Sequence, residues 1–178
     1  MTRKSGILMP IFSLPSKHYI GDFGAEAYKF IDIIKENNFK IWQILPLNPV
    51  GYGNSPYQPY SSYAGEEIYI SLDKLKEWGL ISEIENIDYN NDKADYEKAR
   101  IFKAKYFKKA FENMMENGIL KEEFDSFKKE NSWVYNYSVF ITLKKENDLK
   151  CWNDWKEKDK NWITEKTDLS QFKEKIEY

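Results

Sequence analysis

The sequence predicts an α/β fold in which a parallel βαβ unit precedes a mostly helical second part. Two short apolar runs, at residues 6–11 and 40–45, have the length and composition of buried strands, and one amphipathic segment separates them. All six prolines and six of the eight glycines lie before residue 66, so turns and loops are concentrated in the amino-terminal part of the chain.

The amphipathic segment is predicted to be a helix over residues 25–37 that ends near Asn37 and Asn38. Its apolar side chains recur at i, i+3, i+4 and i+7, with charged residues opposite them: Ala27, Phe30, Ile31 and Ile34. Two apolar strands joined by one helix form a right-handed unit whose strands are parallel and covered on both faces. Ligand sites in such folds lie at the carboxyl ends of the strands.

The chain changes character near residue 71. Residues 72–178 hold 21 of the 27 Lys and Arg residues and 23 of the 29 Asp and Glu residues, which is typical of helices with solvated faces. Just before them, residues 68–72 are interpreted as a short strand. Ser71 is predicted to cap a helix that continues through Trp78 and stops at Gly79.

Two further helices are predicted over residues 94–116, with Gly118 as terminator, and over residues 133–145. Their aromatic stripes are interpreted as core because a ring every third or fourth position faces one side of a helix. Trp152 and Trp155 form an aromatic pair in a loop, and burial against the helices is favoured over ligand stacking.

Composition excludes several partners and compartments. A net charge of −2 and a pI near 5.6 provide no basic surface for nucleic acid or for an anionic membrane. Cys151 is the only cysteine, so an internal disulfide framework is excluded. No apolar run reaches the length of a membrane span or of a signal-peptide core, and we expect a cytoplasmic protein.

Several reaction classes also lack the residues that they need. His18 is the only histidine, which excludes a multi-histidine metal site, and it is expected at the surface. The Gly51-Tyr52-Gly53 turn lacks the Lys-Ser/Thr pair of a phosphate-binding loop. Ser55 is a poor nucleophile candidate because no base lies beside it and Pro56 provides no N–H for an oxyanion.

A segment rich in tyrosine follows the second strand; residues 46–65 are called the tyrosine loop below. It combines aromatic rings with short polar side chains: Tyr52, Tyr57 and Tyr60 beside Asn54, Ser55 and Gln58. A sugar ring offers an apolar face to an aromatic ring and hydroxyls to polar side chains, so this composition suits a carbohydrate. The tyrosines could equally well only pack an irregular loop, and composition alone leaves both interpretations open.

Six motifs occur in order in the amino-terminal part of the chain: Ser5-Gly6-Ile7-Leu8, Ser13-Leu14-Pro15, Ile20-Gly21-Asp22-Phe23-Gly24, Trp42-Gln43-Ile44-Leu45-Pro46-Leu47, Gly51-Tyr52-Gly53-Asn54-Ser55-Pro56-Tyr57-Gln58 and Tyr63-Ala64-Gly65. This ordered series resembles the amino-terminal part of 4-alpha-glucanotransferases of the amylomaltase (disproportionating enzyme) family. The resemblance is close over residues 5–73 and looser from Tyr137 to Trp155.

The resemblance implies a fold and a reaction. Residues 1–73 would be the amino-terminal portion of a TIM (β/α)8 barrel carrying substrate loop 46–65, and residues 74–178 a helical insertion subdomain. The implied activity is transfer of α-1,4-glucan segments between maltooligosaccharides by retaining double displacement, without a cofactor. The family's catalytic aspartate and glutamate lie on later strands, so no catalytic residue is expected in this chain, which is predicted to be inactive alone.

The resemblance also assigns substrate-binding residues. Tyr57 matches the tyrosine that lines the subsite at the cleavage point, and Ser55, Gln58 and Tyr52 match neighbours along the glucan path. The chain departs from the family pattern at Pro59-Tyr60 and at Glu66-Glu67, which affects the expected shape of the loop. The acidic residues nearest the cleft are predicted to be structural or solvated: Asp22, Glu66 and Glu67.

Two alternatives from other classes remain. One is a non-catalytic α-glucan-binding module that uses the same tyrosines, and the other is a structural fragment without a ligand. A titration of the isolated chain with maltooligosaccharides separates them, because only a binding module gives saturable binding.

Overall fold

A computed structural model describes residues 3–89 and 93–178 and shows a mixed helix and strand protein. Its contacts divide the chain into two compact units, Met1–Ile119 and Leu120–Tyr178. The division of a barrel portion at residues 1–73 from an insertion at residues 74–178 stays a prediction.

The predicted βαβ unit is confirmed. Strands β1 (Gly6–Leu8) and β2 (Ile41–Gln43) pair in parallel, with Ile7 opposite Trp42, and helix α1 (Ala25–Glu36) connects them. The two central residues are half-buried on the side where Phe30 of α1 packs against Trp42, with ring centroids 5.0 Å apart. On the opposite face Leu8 and Ile41 are about half exposed.

Both strands are shorter than predicted, and proline explains where the pairing ends. The Met9 N–H still donates to the Gln43 carbonyl at 3.0 Å. Pro10 follows and has no N–H to continue the ladder. The Met9 carbonyl instead accepts a hydrogen bond from the Trp42 indole at 2.8 Å, so the chain turns away from the sheet at this point.

The strand predicted over residues 68–72 is wrong. The structure has a 3-10 turn at Glu67–Tyr69, followed by helix α2 (Leu72–Glu77). The carbonyls of Ile68 and Ile70, which a strand would pair with neighbouring backbone, accept hydrogen bonds from the Lys103 ammonium at 2.7 and 3.0 Å. A buried cation from elsewhere in the chain therefore satisfies this backbone. The predicted cap is confirmed, since the Ser71 hydroxyl accepts from the Lys74 N–H.

Helix α3 (Tyr96–Asn117) confirms the longest helical prediction. The Asp95 side chain accepts a hydrogen bond from the Lys98 N–H at 3.0 Å and so begins the helix. Gly118, with φ +74°, ends it in the left-handed conformation that favours glycine. The predicted aromatic stripe lies in the core, where Phe102, Tyr106 and Ala110 are buried against α2 and the segment that follows it: Leu72, Leu75, Leu80 and Ile81.

The surface location predicted for His18 is wrong. Its side chain is only 7% exposed and stacks on Phe102, with ring centroids 5.7 Å apart and planes 21° from parallel. Loop position suggested a solvated histidine, but the turn-rich segment before α1 folds over the aromatic stripe of α3 and covers this ring.

The second unit contains α4 (Lys121–Glu130), α5 (Trp133–Glu146), α6 (Glu157–Lys160) and α7 (Lys173–Glu177). Its buried centre is formed by Val139, Leu143 and Trp155. Burial of the tryptophan pair is therefore confirmed for Trp155 and wrong for Trp152, which is about half exposed. None of the helices described in either unit is long and apolar enough to cross a membrane.

Candidate functional site

The tyrosine loop begins shortly after β2 ends, beyond the carboxyl edge of the small sheet, which is the edge that binds ligands in parallel α/β folds. Its two arms meet at an isolated antiparallel bridge between Val50 and Pro59, and the Tyr60 N–H donates to the Pro49 carbonyl at 3.1 Å. Between the arms the Gln58 N–H donates to the Ser55 carbonyl at 3.2 Å. The loop is thus a backbone-bonded hairpin and not an open connector.

The base of the loop is closed by polar contacts. The Asn48 amide donates to the Ala64 carbonyl at 3.1 Å, and the Glu66 N–H donates to the Leu47 carbonyl at 2.7 Å. The Val50 N–H donates to Glu66 Oε2, also at 2.7 Å. These hydrogen bonds connect the first residues of the loop to its last residues and to Glu66, so the turn at the tip projects from a hydrogen-bonded base.

Glu66 is the most unusual group at this base. Its residue is only 5% exposed, and its carboxylate faces Val50 and Arg100. Burial, reinforced by the neighbouring Glu67 carboxylate, raises the pKa of Glu66, whereas the Val50 N–H and Arg100 oppose this rise. The ion pair with Arg100 has an N–O distance of 3.4 Å and offsets part of the cost of burying the charge.

Among the predicted substrate-binding residues, Tyr57 is highly accessible, with 70% of its surface exposed. Gln58 beside it is exposed, and Ser55 is half-buried with its hydroxyl accepting from the Tyr57 N–H at 3.4 Å. Tyr52 begins the 3-10 turn Tyr52–Asn54, and its side chain lies outside what the structure describes. The first three therefore share one turn at the loop tip.

A family model described as 4-alpha-glucanotransferase matches residues 9–178, which is nearly the whole chain. The chain belongs to the 4-alpha-glucanotransferase family.

Individual relatives match this 4-alpha-glucanotransferase-family chain over most of its length. The 4-alpha-glucanotransferase of Streptococcus pneumoniae serotype 4 is 38% identical over 162 residues, which is 88% of this chain and 32% of the relative. That of Clostridium butyricum is 39% identical over 152 residues, covering 83% and 31%. An amylomaltase from Streptococcus agalactiae, solved in complex with acarbose, superposes with a TM-score of 0.90 at 32% identity and covers 99% of this chain and 37% of its own. The chain spans about a third of the length of these relatives.

Within this family member the acidic residues near the loop are engaged in structure. The Asp22 carboxylate pairs with the Lys103 ammonium at 2.9 Å and also accepts from the Gly24 N–H at 3.0 Å. Glu66 is held as described above. Within residues 3–89 and 93–178, no group of three or more His, Cys, Asp or Glu side chains could hold a metal ion.

Sequence reasoning missed the partners that hold the loop. Arg100 and Asn54 are joined by a hydrogen bond of 2.8 Å, and Arg100 also reaches Glu66. One signal was available, because Arg100 is one of only two arginines among 27 Lys and Arg residues. Arginine differs from lysine in presenting a planar, rigid set of donors that can bond separate acceptors from different nitrogens.

Proposed function

We propose that the chain is the amino-terminal part of a 4-alpha-glucanotransferase that transfers α-1,4-glucan segments between maltooligosaccharides. Family membership over residues 9–178 supports this activity, and the coverage of about a third of each relative supports the amino-terminal position. The observation that carries the proposal is Tyr57, a tyrosine 70% exposed on a closed loop at the ligand-binding edge of the sheet. The cytoplasmic location expected from composition belongs to the same proposal.

The barrel fold is part of this proposal and has structural support. A parallel sheet is ordinarily covered on both faces, yet Leu8 and Ile41 are 54% and 46% exposed on the face opposite α1. Further strands and an enclosed interior would cover these side chains. A (β/α)8 barrel needs about 250 residues, so most of its strands would follow this chain.

In the proposed reaction an aspartate attacks the anomeric carbon while a glutamic acid protonates the departing glycosidic oxygen. The glycosyl-enzyme ester is then displaced by a hydroxyl of a second glucan, with the glutamate now removing its proton. Retention requires the two carboxyl groups to lie about 5–5.5 Å apart. Both groups would lie outside this chain, and no cofactor takes part.

The residues of this chain would bind and orient the sugar. The Tyr57 ring would stack on the apolar face of the glucose at the cleavage point, and Ser55 and Gln58 would accept or donate hydrogen bonds to its hydroxyls. Because a closed loop loses little conformational entropy on binding, most of this contact energy would remain available for orienting the glucan that is cleaved.

The test uses the full-length polypeptide that carries this chain, incubated with maltotriose. Formation of glucose together with longer maltodextrins is expected. Tyr57→Ala should lower kcat/KM at least about tenfold because the stacking contact is lost. Tyr135→Ala, a variant of another exposed tyrosine in the second unit, is the matched control and should leave transfer unchanged. Equal activity of the two variants would remove Tyr57 from the site.

The isolated chain is predicted to be silent in the same assay. A glucan-binding module is the second candidate, favoured by the presence of the whole closed loop within this chain. Calorimetric titration of the isolated chain with maltooligosaccharides decides between them. Saturable binding that Tyr57→Ala abolishes supports the binding module. Absence of binding supports a partial sugar site that needs the rest of the enzyme.

A further inference from the structure

Arg100 reaches from helix α3 to the tyrosine loop and to the residue that follows it. Its Nη1 donates to Asn54 Oδ1 at 2.8 Å, in the turn at the loop tip. Its Nη2 lies 3.4 Å from Glu66 Oε2, just past the end of the loop. The side chain is only 28% exposed, so this bridge is partly shielded from water. One planar guanidinium therefore fixes the separation between the tip and the base.

The bridge extends to a third point through Glu66. The oxygen that faces Arg100 also accepts the hydrogen bond from the Val50 N–H. Val50 belongs to the bridge that closes the loop arms, so loss of the cation would affect the arm as well as the tip. The guanidinium itself is held over the Tyr96 ring, with its carbon 5.7 Å from the ring centroid.

The turn that Arg100 contacts has a backbone that needs support. Gly53 has φ +76° and Asn54 has φ +53°, so two consecutive residues adopt the left-handed conformation. For a residue with a side chain this conformation is strained, although asparagine accepts it more readily than most. The turn leads directly into Ser55, whose carbonyl accepts from the Gln58 N–H at 3.2 Å, so the turn is continuous with the segment that carries Tyr57.

We infer that Arg100 is a positioning residue that sets the direction of Tyr57 by holding Asn54 and Glu66 at a fixed separation. The inference rests on the proposed function for its catalytic consequence, whereas its structural part concerns this chain alone. Lysine should replace it poorly, since its ammonium sits on a flexible stem and lacks the rigid fork whose Nη1 and Nη2 reach Asn54 and Glu66 separately.

The structural part is tested in this chain by amide hydrogen exchange and by NMR of the Glu66 carboxyl carbon. Arg100→Met should raise the exchange rate of the Val50 amide about 10- to 100-fold, because charge-assisted hydrogen bonds that hold Glu66 are lost. The amides of α1 should stay protected. The titration midpoint of Glu66 should move upward because a neighbouring cation has been removed. Lys109→Met, on an exposed face of α3, is the matched control and should change neither quantity.

The catalytic part is tested by transfer kinetics of the full-length polypeptide. Arg100→Met should lower kcat/KM about tenfold, and Arg100→Lys should recover only a minor part. If Arg100 acts through Tyr57, adding Arg100→Met to Tyr57→Ala should cause no further loss, whereas independent damage to the fold would multiply the two losses.

The outcomes separate the two proposals. If Tyr57→Ala leaves transfer intact, the proposed function fails irrespective of Arg100. If Tyr57→Ala impairs transfer but Arg100→Met leaves either kcat/KM or Val50 protection unchanged, the positioning role is overturned. A double variant much weaker than Tyr57→Ala alone also overturns it, because Arg100 would then act by another route.

Discussion

Replacing Lys103 by methionine is the sharpest test of the first compact unit. This lysine is fully buried, and its ammonium donates to Asp22 Oδ2 at 2.9 Å and to the carbonyls of Ile68 and Ile70 at 2.7 and 3.0 Å. An ammonium has three N–H donors, so each of them is used. Burial lowers the pKa of Lys103, and the nearby Asp22 carboxylate offsets part of that shift.

Methionine has a similar length but cannot donate, so the substitution leaves one carboxylate and two carbonyls without this donor. Breaking a buried ion pair by removing one partner costs about 3–5 kcal/mol. We therefore expect Lys103→Met to lower the free energy of unfolding by about that amount, a large fraction of the roughly 5–15 kcal/mol that stabilises an ordinary domain. Urea denaturation followed by circular dichroism measures the loss.

Two comparisons make this prediction refutable. Lys109→Met removes an exposed ion pair with Glu112 on the same helix and should cost no more than about 1 kcal/mol. Adding Asp22→Asn to Lys103→Met removes the uncompensated charge and should restore part of the stability. If Lys103→Met costs no more than Lys109→Met, the buried ammonium does not hold these segments together.

Two further predictions concern the segment before α1. Burial lowers the pKa of His18 below its usual value near 6.5, so the stability due to the neutral ring is present above pH 6.5 and is lost as pH falls through the lowered folded-state pKa. Urea midpoints between pH 7 and about pH 5 should therefore fall more steeply for the natural chain than for His18→Gln, and parallel curves would contradict this. A methyl group at Gly21 would lie 2.1 Å from the Ile11 carbonyl oxygen, so Gly21→Ala should cost at least about 2 kcal/mol by the same denaturation assay. A loss within 0.5 kcal/mol, as is usual for surface substitutions, would show that this backbone can move apart.

Local sequence signals predicted the elements whose ends are determined locally. The predicted roles of Ser71 as helix cap and Gly118 as helix terminator are correct, because both act within one helical turn. The wrong strand over residues 68–72 and the wrong surface location of His18 share another cause. Each depends on a side chain of α3, Lys103 in one case and Phe102 in the other, which the fold brings from a distant part of the sequence.

The candidate site also combines features that are local in sequence with features that depend on distant residues. Tyr57 and its neighbours could be proposed as site residues from the sequence, because aromatic rings beside hydroxyl and amide groups form a contiguous pattern that also resembles a family motif. The support of the loop could not be found, because Asn54, Glu66 and Arg100 are separated along the chain and meet only when α3 packs beside the loop. Their contact is a property of packing and leaves only the weak signal of an isolated arginine.

The residues that anchor the tyrosine loop all lie in one part of the chain. Every anchor of the tyrosine loop described above lies within residues 46–100, inside the first compact unit. If the tyrosine loop is the proposed wall of a sugar site, its shape comes from contacts that lie within this chain. The proposed carboxylates would then need only to be brought against a preorganised surface, which reduces the entropy that substrate binding must overcome. On this reasoning, the loop should be ordered in the isolated chain even though transfer activity is proposed to need the rest of the enzyme.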